Sequence, residues 1–115
     1  MNVAVVGSRD FPDLERVRNT VMRFVPGTVV VSGGARGVDS EAESAARKRG
    51  LRVLSFPVGR CRSRAEFARL AFERNRKIVA VADGLWAFWD GASRGTKNTM
   101  ELARKKGIPM RVVLP

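Results

Sequence analysis

Short apolar runs alternate along the chain with longer segments in which apolar residues recur every three or four positions. A short continuous apolar run is typical of a strand that is buried on both faces of a parallel sheet. The longer segments have the spacing of amphipathic helices, which bury one face and expose the other. The pattern therefore predicts five strands, at Val3–Val6, Thr28–Val31, Arg52–Phe56, Leu85–Trp89 and Met110–Leu114.

Four helices are predicted between these strands, and most of their ends carry a start or stop signal. Ser40 and Glu43 have the spacing of a capping box, in which a hydroxyl and a carboxylate satisfy the first amides of a helix. Ser63 and Glu66 repeat that spacing at the start of the third helix. The predicted limits are Asp13 to Pro26-Gly27, Asp39 or Ser40 to Gly50, Ser63 to Asp83-Gly84, and Thr96 to Lys106.

This alternation of strands and helices predicts a single α/β domain over residues 1–115. Because each crossover has the length of a helix, neighbouring strands are expected to be parallel, with helices on both faces of the sheet. The expected fold is a three-layer Rossmann-like sandwich with strand order 3-2-1-4-5. Trp86, Phe67 and Phe72 are expected to face the core, and packing is favoured over base stacking for Trp89.

Composition excludes several kinds of site. With 44% hydrophobic and 29% charged residues, the chain can bury a normal core and is not expected to be disordered. The absence of histidine excludes histidine-based triads, and with one cysteine it argues against the usual zinc and haem sites. No metal and no cofactor are therefore expected. The N-terminus lacks the features of a signal peptide and no apolar run is long enough to span a bilayer, so a cytoplasmic protein without membrane contact is predicted.

The chain is strongly basic, with 22 Lys and Arg residues against 11 Asp and Glu residues and a formal net charge of +11. Such a surface attracts nucleic acids, nucleotides or an acidic partner. Arginine also offers a forked donor for phosphate and a plane for stacking on bases. Codon bias or heat tolerance explains the same composition without any ligand, so charge alone leaves both interpretations open.

The loops that follow the first, second and fourth strands each combine glycine, a hydroxyl group and arginine. Glycine lets backbone amides approach an anion, and the following helix adds its positive N-terminal dipole. These loops are expected to meet at the switch point between strands 1 and 4 and to bind phosphate there. Glycine turns and helix caps that bind no ligand are the alternative, and neither a Walker A motif nor GxGxxG is present. The predicted ligand residues of these loops are Gly7, Ser8, Arg9, Ser32, Gly33, Gly34, Ala35, Arg36, Gly37, Asp39, Asp90, Gly91, Ser93, Gly95 and Thr96.

Four motifs in this order, GSRDF, SGGARGVD, ERNRKIV and FWDGASRGT, resemble those of the SMF/DprA–LOG (SLOG) superfamily, in particular its small stand-alone YspA-like branch. The resemblance implies a Rossmann-like fold that binds nucleotides, nucleotide-derived signals or single-stranded DNA. It also implies that Gly33, Gly34, Gly37 and the loop Gly91–Thr96 hold a phosphate or ribose phosphate. Arg74 matches an arginine of the family, and Arg74 and Asn75 join the predicted ligand residues. Since small members commonly pair, a homodimer is expected.

The chain departs from the LOG branch, whose phosphoribohydrolases carry a glutamate that assists N-glycosidic cleavage. Thr99 stands at the position of that glutamate. Binding of a nucleotide or nucleotide derivative without turnover is therefore the favoured interpretation. Cleavage remains an alternative, with Arg74, Asp90 and Asp39 as candidate catalytic residues, because its cationic transition state requires a nearby carboxylate.

A second alternative is a single-stranded DNA-binding module of the DprA type. Its support in the sequence is a basic cluster that is not explained by helix ends, at Arg60, Arg62, Arg64 and Arg69. Such a cluster forms either a rim that attracts anions or a strip that follows a nucleic-acid backbone.

Overall fold

Five strands and four helices alternate in a computed structural model that describes residues 1–115. Every predicted element is present, and most limits differ from the prediction by one or two residues. The strands are β1 (Asn2–Gly7), β2 (Val29–Ser32), β3 (Arg52–Ser55), β4 (Gly84–Phe88) and β5 (Met110–Val113). The helices are α1 (Leu14–Met22), α2 (Val38–Lys48), α3 (Arg64–Val81) and α4 (Arg94–Lys106).

The strands form one parallel sheet in the order β3-β2-β1-β4-β5, which confirms the predicted topology. The central strand β1 pairs with β2 through Ala4 opposite Val31 and with β4 through Ala4 opposite Leu85. Because all strands are parallel, the loops that leave β1, β2 and β4 emerge at the same edge of the sheet, and strand order reverses there between β1 and β4.

Two apolar clusters, one on each face of the sheet, confirm the three-layer arrangement. One cluster joins the sheet to α1 and α2 and includes Val17, Val21 and Ala45. The other joins the sheet to α3 and α4 and includes Ile78 and Ala103. No helix combines the length and the apolar character that crossing a membrane requires.

The predicted capping box at Ser40 and Glu43 is wrong. Helix α2 begins earlier, at Val38, and its N-cap is Gly37, whose lack of a side chain leaves the first amides without a side-chain cap. Glu43 instead turns inward, where it is buried and accepts hydrogen bonds from two serines outside the helix. At α3 the hydroxyl half of the prediction is confirmed, since the hydroxyl of Ser63 accepts from the amide of Glu66 at 3.1 Å, whereas the carboxylate of Glu66 does not accept from the amide of Ser63.

The prediction that Phe67 and Phe72 face the core is wrong. Their side chains are 42% and 41% exposed. The buried face of α3 is formed by smaller residues, among them Ala71, Asn75 and Ile78. Phe67 lies one turn before Ala71 on the same face, at the end of the helix that lines a cavity. Phe72 is rotated away from that face by about 100°, the angle between successive helical residues, which leaves it in solvent.

Candidate functional site

A cavity of about 400 Å³ lies at the carboxyl ends of β1, β2 and β4. The loops after these strands, here called the β1 loop (residues 8–13), the β2 loop (residues 33–37) and the β4 loop (residues 89–93), meet there together with α2, α3 and α4. The structure thus brings the three loops together as the topology predicts. Of the predicted ligand residues, Gly7, Arg9, Gly33, Ala35, Arg36, Asp39, Arg74, Asn75, Ser93, Gly95 and Thr96 line the cavity.

The remaining predicted ligand residues do not line the cavity, although they belong to the loops around it or to the end of β2. They are Ser8, Ser32, Gly34, Gly37, Asp90 and Gly91. Ser8 is buried; its amide donates to the carbonyl of Phe88 at 3.0 Å, and its hydroxyl accepts from the amide of Asp90 at 3.1 Å. It therefore ties the β1 loop to the β4 loop.

Asp90 closes the β4 loop on itself. Its Oδ1 accepts from the amides of Ala92 and Ser93, both at 2.8 Å. The hydrogen bonds from Ser93 and Ala92 lower the pKa of the Asp90 carboxyl, because they stabilise its charged form. Of the three candidate catalytic residues, Asp90 is thus occupied within the turn, whereas Asp39 and Arg74 line the cavity.

The N-terminus of α2 lies at the cavity, where Asp39 lines the wall. Gly37 has a φ of +79°, which turns the chain sharply into the helix. The amides of Val38, Asp39 and Ser40 donate to no other group of the protein. Unpaired amides at a helix N-terminus, together with the helix dipole, form a favourable environment for an anion.

A buried network holds the β2 loop from behind. Glu43 Oε2 accepts from the hydroxyls of Ser32 at 2.7 Å and Ser55 at 3.0 Å. The oxygen of Ser32 in turn accepts from the amide of Gly34 at 3.2 Å. The start of the loop is thereby anchored to α2 and to β3. The sequence reasoning missed this role, although the buried neighbours Ala42 and Ala46 place Glu43 near the inner face of its helix.

Arg74 crosses the cavity wall from α3 to the β2 loop. Its Nη1 donates to the carbonyl of Gly33, and also to the carbonyl of Phe56 at 3.4 Å. Burial lowers the pKa of its guanidinium, and the nearby carboxylate of Asp39 opposes that shift. The far side of Arg74 borders a second cavity of about 320 Å³, which lies between α3 and the segment after β3. Arg74 is therefore held by backbone carbonyls and separates the two cavities.

Asp39 is a buried carboxylate in the wall of the cavity, with 6% of its surface exposed. Its Oδ2 accepts from the amide of Ala35 at 3.2 Å. Burial raises the pKa of its carboxyl to about 6, and the hydrogen bond from Ala35 and the charge of Arg74 limit the shift. A Cβ atom added to Gly33 would lie 2.8 Å from Asp39 Oδ2, so the carboxylate lies close against the β2 loop.

The opposite wall is built by α3 and α4. Asn75 is buried, and its Nδ2 donates to the carbonyl of Gly95 at 3.3 Å and to Asn98 at 3.1 Å. The hydroxyl of Thr99 donates to the same Gly95 carbonyl at 3.1 Å. Thr99 lines the cavity, where it offers a hydroxyl group but no carboxylate. Asn75 thus positions the start of α4, a role that its sequence position did not reveal.

The indole of Trp89 is oriented by the β4 loop. Its Nε1 donates to the carbonyl of Ser93 at 3.0 Å, and its ring packs against the cluster beneath α3 and α4. This agrees with the predicted packing role. Trp86 is half-buried, stacks on Phe88 and lies under the guanidinium of Arg111.

Residues 1–60, which include β1, β2, α2 and the loops between them, match the family model described as "YspA, cpYpsA-related SLOG family". The chain belongs to this SLOG family. Over 117 residues this SLOG protein is 37% identical to the Gene 61 protein of Mycobacterium phage D29, with 94% of this chain and 92% of the phage protein covered.

Solved structures of DNA processing protein A (DprA) share the fold. DprA from Streptococcus pneumoniae matches 96% of the SLOG chain with a TM-score of 0.73 and 23% identity. DprA from Helicobacter pylori, described for its single-stranded DNA binding mode, matches 97% with a TM-score of 0.71 and 24% identity. The chain spans 49% and 64% of these two proteins. The C-terminal domain of PF1911 hydrogenase from Pyrococcus furiosus matches at a TM-score of 0.58 and 15% identity.

Proposed function

We propose that this SLOG protein binds a nucleotide or a nucleotide-derived anion in the cavity at the carboxyl edge of its sheet, without turning it over. The observation that carries the proposal is that the β1, β2 and β4 loops and the N-termini of α2 and α4 line this one cavity. In a parallel α/β sheet this is the place where ligands bind.

The groups around the cavity suit a phosphate. The unpaired amides of α2 supply donors, and the exposed side chains of Arg9 and Arg36 add positive charge at the mouth. Turnover is disfavoured because Thr99 stands where the LOG branch of the superfamily carries its glutamate, and because Asp90 is engaged in the β4 loop. Membership of the SLOG family and the likeness to DprA support a module that binds nucleotides or nucleic acid.

Calorimetry at low salt with mononucleotides, NAD derivatives, ADP-ribose and cyclic dinucleotides tests the proposal. At least one of these is expected to bind, and Arg36→Gln is expected to weaken it by about threefold to tenfold, since a charged hydrogen bond to the phosphate is lost. Arg23→Gln is the matched control, because Arg23 lies at the C-terminal end of α1, at the opposite edge of the sheet. Failure of the whole panel to bind would contradict the proposal.

Binding of single-stranded DNA is the second candidate, and the exposure of Phe67 favours it. Phe67 lies at the cavity with 42% of its surface exposed, one turn beyond Arg64. An exposed aromatic ring beside arginines is the usual means of stacking an unpaired base.

A pair of variants separates this candidate from mononucleotide binding. Phe67→Ala is expected to weaken binding of an oligodeoxynucleotide by about tenfold if a base stacks there. Phe72→Ala is the control, since Phe72 is equally exposed but does not line the cavity. A steep dependence on salt together with indifference to mononucleotides would decide for DNA. Equal effects of the two variants would argue against stacking at Phe67.

A further inference from the structure

Asp39 stands out among the buried polar groups of the chain. Its Oδ1 is the one buried side-chain nitrogen or oxygen without a hydrogen-bond partner, whereas its Oδ2 is held by the amide of Ala35. Buried polar atoms are almost always paired, because an unpaired one forfeits its hydration without compensation. The same residue lines the larger cavity, so the carboxylate that carries the unmatched acceptor belongs to the wall of the proposed binding site.

An ionised carboxylate in this position opposes the binding of a bare phosphate, since the two groups repel each other. It favours a ligand that brings a hydrogen-bond donor next to its anionic group. Asp39 also belongs to the first turn of α2, and the proposed function places the phosphate at the N-terminus of this helix. The donor must therefore lie close to the phosphate within the ligand.

In a nucleotide the donors nearest to the phosphate are the hydroxyl groups of the sugar, whereas the amino groups of the bases lie beyond the sugar. Building on the proposed function, we propose that Asp39 accepts a hydrogen bond from a ribose hydroxyl and thereby makes the site selective for ribonucleotides over their deoxy counterparts. Recognition of this kind discriminates strongly, because a ligand without the hydroxyl leaves the buried acceptor unpaired.

The test is calorimetry at pH 7.5 with AMP, 2′-deoxy-AMP and 3′-deoxy-AMP. Wild-type protein is expected to bind at least one deoxy analogue about tenfold more weakly than AMP, the effect of one hydrogen bond to a charged group. In Asp39→Asn this ratio is expected to fall to within about threefold, because the neutral amide forms a weaker hydrogen bond than the carboxylate.

Glu41→Gln is the matched control for charge. Glu41 lies in the same first turn of α2, but its carboxylate pairs with Arg18 at 2.7 Å and does not line the cavity. This variant removes the same charge and is expected to keep the ratio of the wild type. A thermal melt of each variant verifies that it is folded.

Three results would overturn the proposal. The first is equal affinity of the wild type for AMP and both deoxy analogues. This measurement uses wild-type protein only, so it does not depend on whether a variant folds. The second is an unchanged ratio in folded Asp39→Asn, and the third is an equal loss of selectivity in Glu41→Gln. If the wild type binds nucleotides without preferring ribose, the proposed function stands and only the role of Asp39 fails. If the wild type binds none of the three nucleotides, the proposed role of Asp39 fails. Calorimetry with the wider ligand panel then decides whether the proposed function also fails.

Discussion

The β2 loop and the β4 loop lead into helices at the same cavity, but different parts of the protein hold them. The β2 loop is fixed by distant groups, namely the Glu43 network behind it and Arg74 from α3. The β4 loop is fixed mainly by its own neighbours, since Asp90 accepts from Ala92 and Ser93. At its end, Ser93 caps α4 by accepting from the amide of Thr96 at 3.4 Å, whereas α2 has no side-chain cap.

This difference assigns separate tasks to the two loops. The β2 loop is packed against the rest of the fold and keeps the amides of α2 free, so it has the character of a rigid anion site. The β4 loop satisfies its own polar groups and is exposed at Asp90, Gly91 and Ala92. Apart from the packed ring of Trp89 and the hydrogen bond to Ser8, it closes one side of the cavity with little support from the core, which makes it the more tolerant of change.

The largest expected effect on stability comes from substituting one of two glycines that both have a positive φ. Gly37 in the β2 loop has φ +79° and Gly91 in the β4 loop has φ +88°. A Cβ atom at Gly37 would meet the carbonyl of Arg9, whereas one at Gly91 would meet nothing within 4 Å. Gly91→Ala is expected to cost about 1 kcal/mol of strain, and Gly37→Ala about 3 kcal/mol or more because the clash adds to the strain. Urea unfolding of both variants measures the difference, and equal costs would contradict it.

Two aspartates are expected to respond to pH with opposite signs. Burial raises the pKa of Asp39 from 3.8 to about 6, with a smaller contribution from the charge of Glu43 and against the opposing charge of Arg74, so its folded form holds the proton more tightly than the unfolded chain. Its ionisation therefore destabilises the fold as pH rises from about 3.8 to about 6. Asp39→Asn is expected to be more stable than the wild type by about 1–3 kcal/mol at pH 8 and similar to it below pH 4.

Asp90 behaves in the reverse way because amide hydrogen bonds lower its pKa. Its stabilisation is present above its ordinary pKa of 3.8 and is lost as pH falls through the lowered value. Asp90→Asn is thus expected to be less stable than the wild type at pH 8, with the difference vanishing in acid. Thermal melts at several pH values measure both variants. If the melting temperatures of both variants differed from that of the wild type in the same direction at pH 8, the contrast between the two aspartates would be contradicted.

The fold and the location of the cavity were predictable from the sequence. Buried parallel strands leave continuous apolar runs, as in Val3–Val6, and the carboxyl ends of neighbouring strands necessarily share an edge. The confirmed strand order and the meeting of the three loops follow from these two facts. Such features depend on patterns repeated over many residues, so no single contact decides them.

Individual side chains were less predictable where a local motif competes with a distant partner. The spacing of Ser40 and Glu43 suits a helix cap, but the hydroxyls of Ser32 and Ser55 from two strands offer Glu43 a buried alternative. The sequence makes Asp90 a candidate catalytic group, but in the structure its Oδ1 accepts hydrogen bonds from the amides of Ala92 and Ser93. In both cases the choice depends on three-dimensional distances that the order of residues does not contain.

The smallest expected effect concerns Gly95, the second residue of α4. A Cβ atom there would meet nothing within 4 Å, and the carbonyl that accepts from Asn75 and Thr99 is retained in any substitution. Gly95→Ala is expected to stabilise the fold by about 0.5 kcal/mol, since alanine loses less backbone freedom in a helix. At Gly33 a Cβ atom would press on Arg74 and Asp39, so Gly33→Ala is expected to destabilise. Urea unfolding distinguishes the two signs, and a loss of stability in Gly95→Ala as large as that in Gly33→Ala would show that the start of α4 is packed as tightly as the β2 loop.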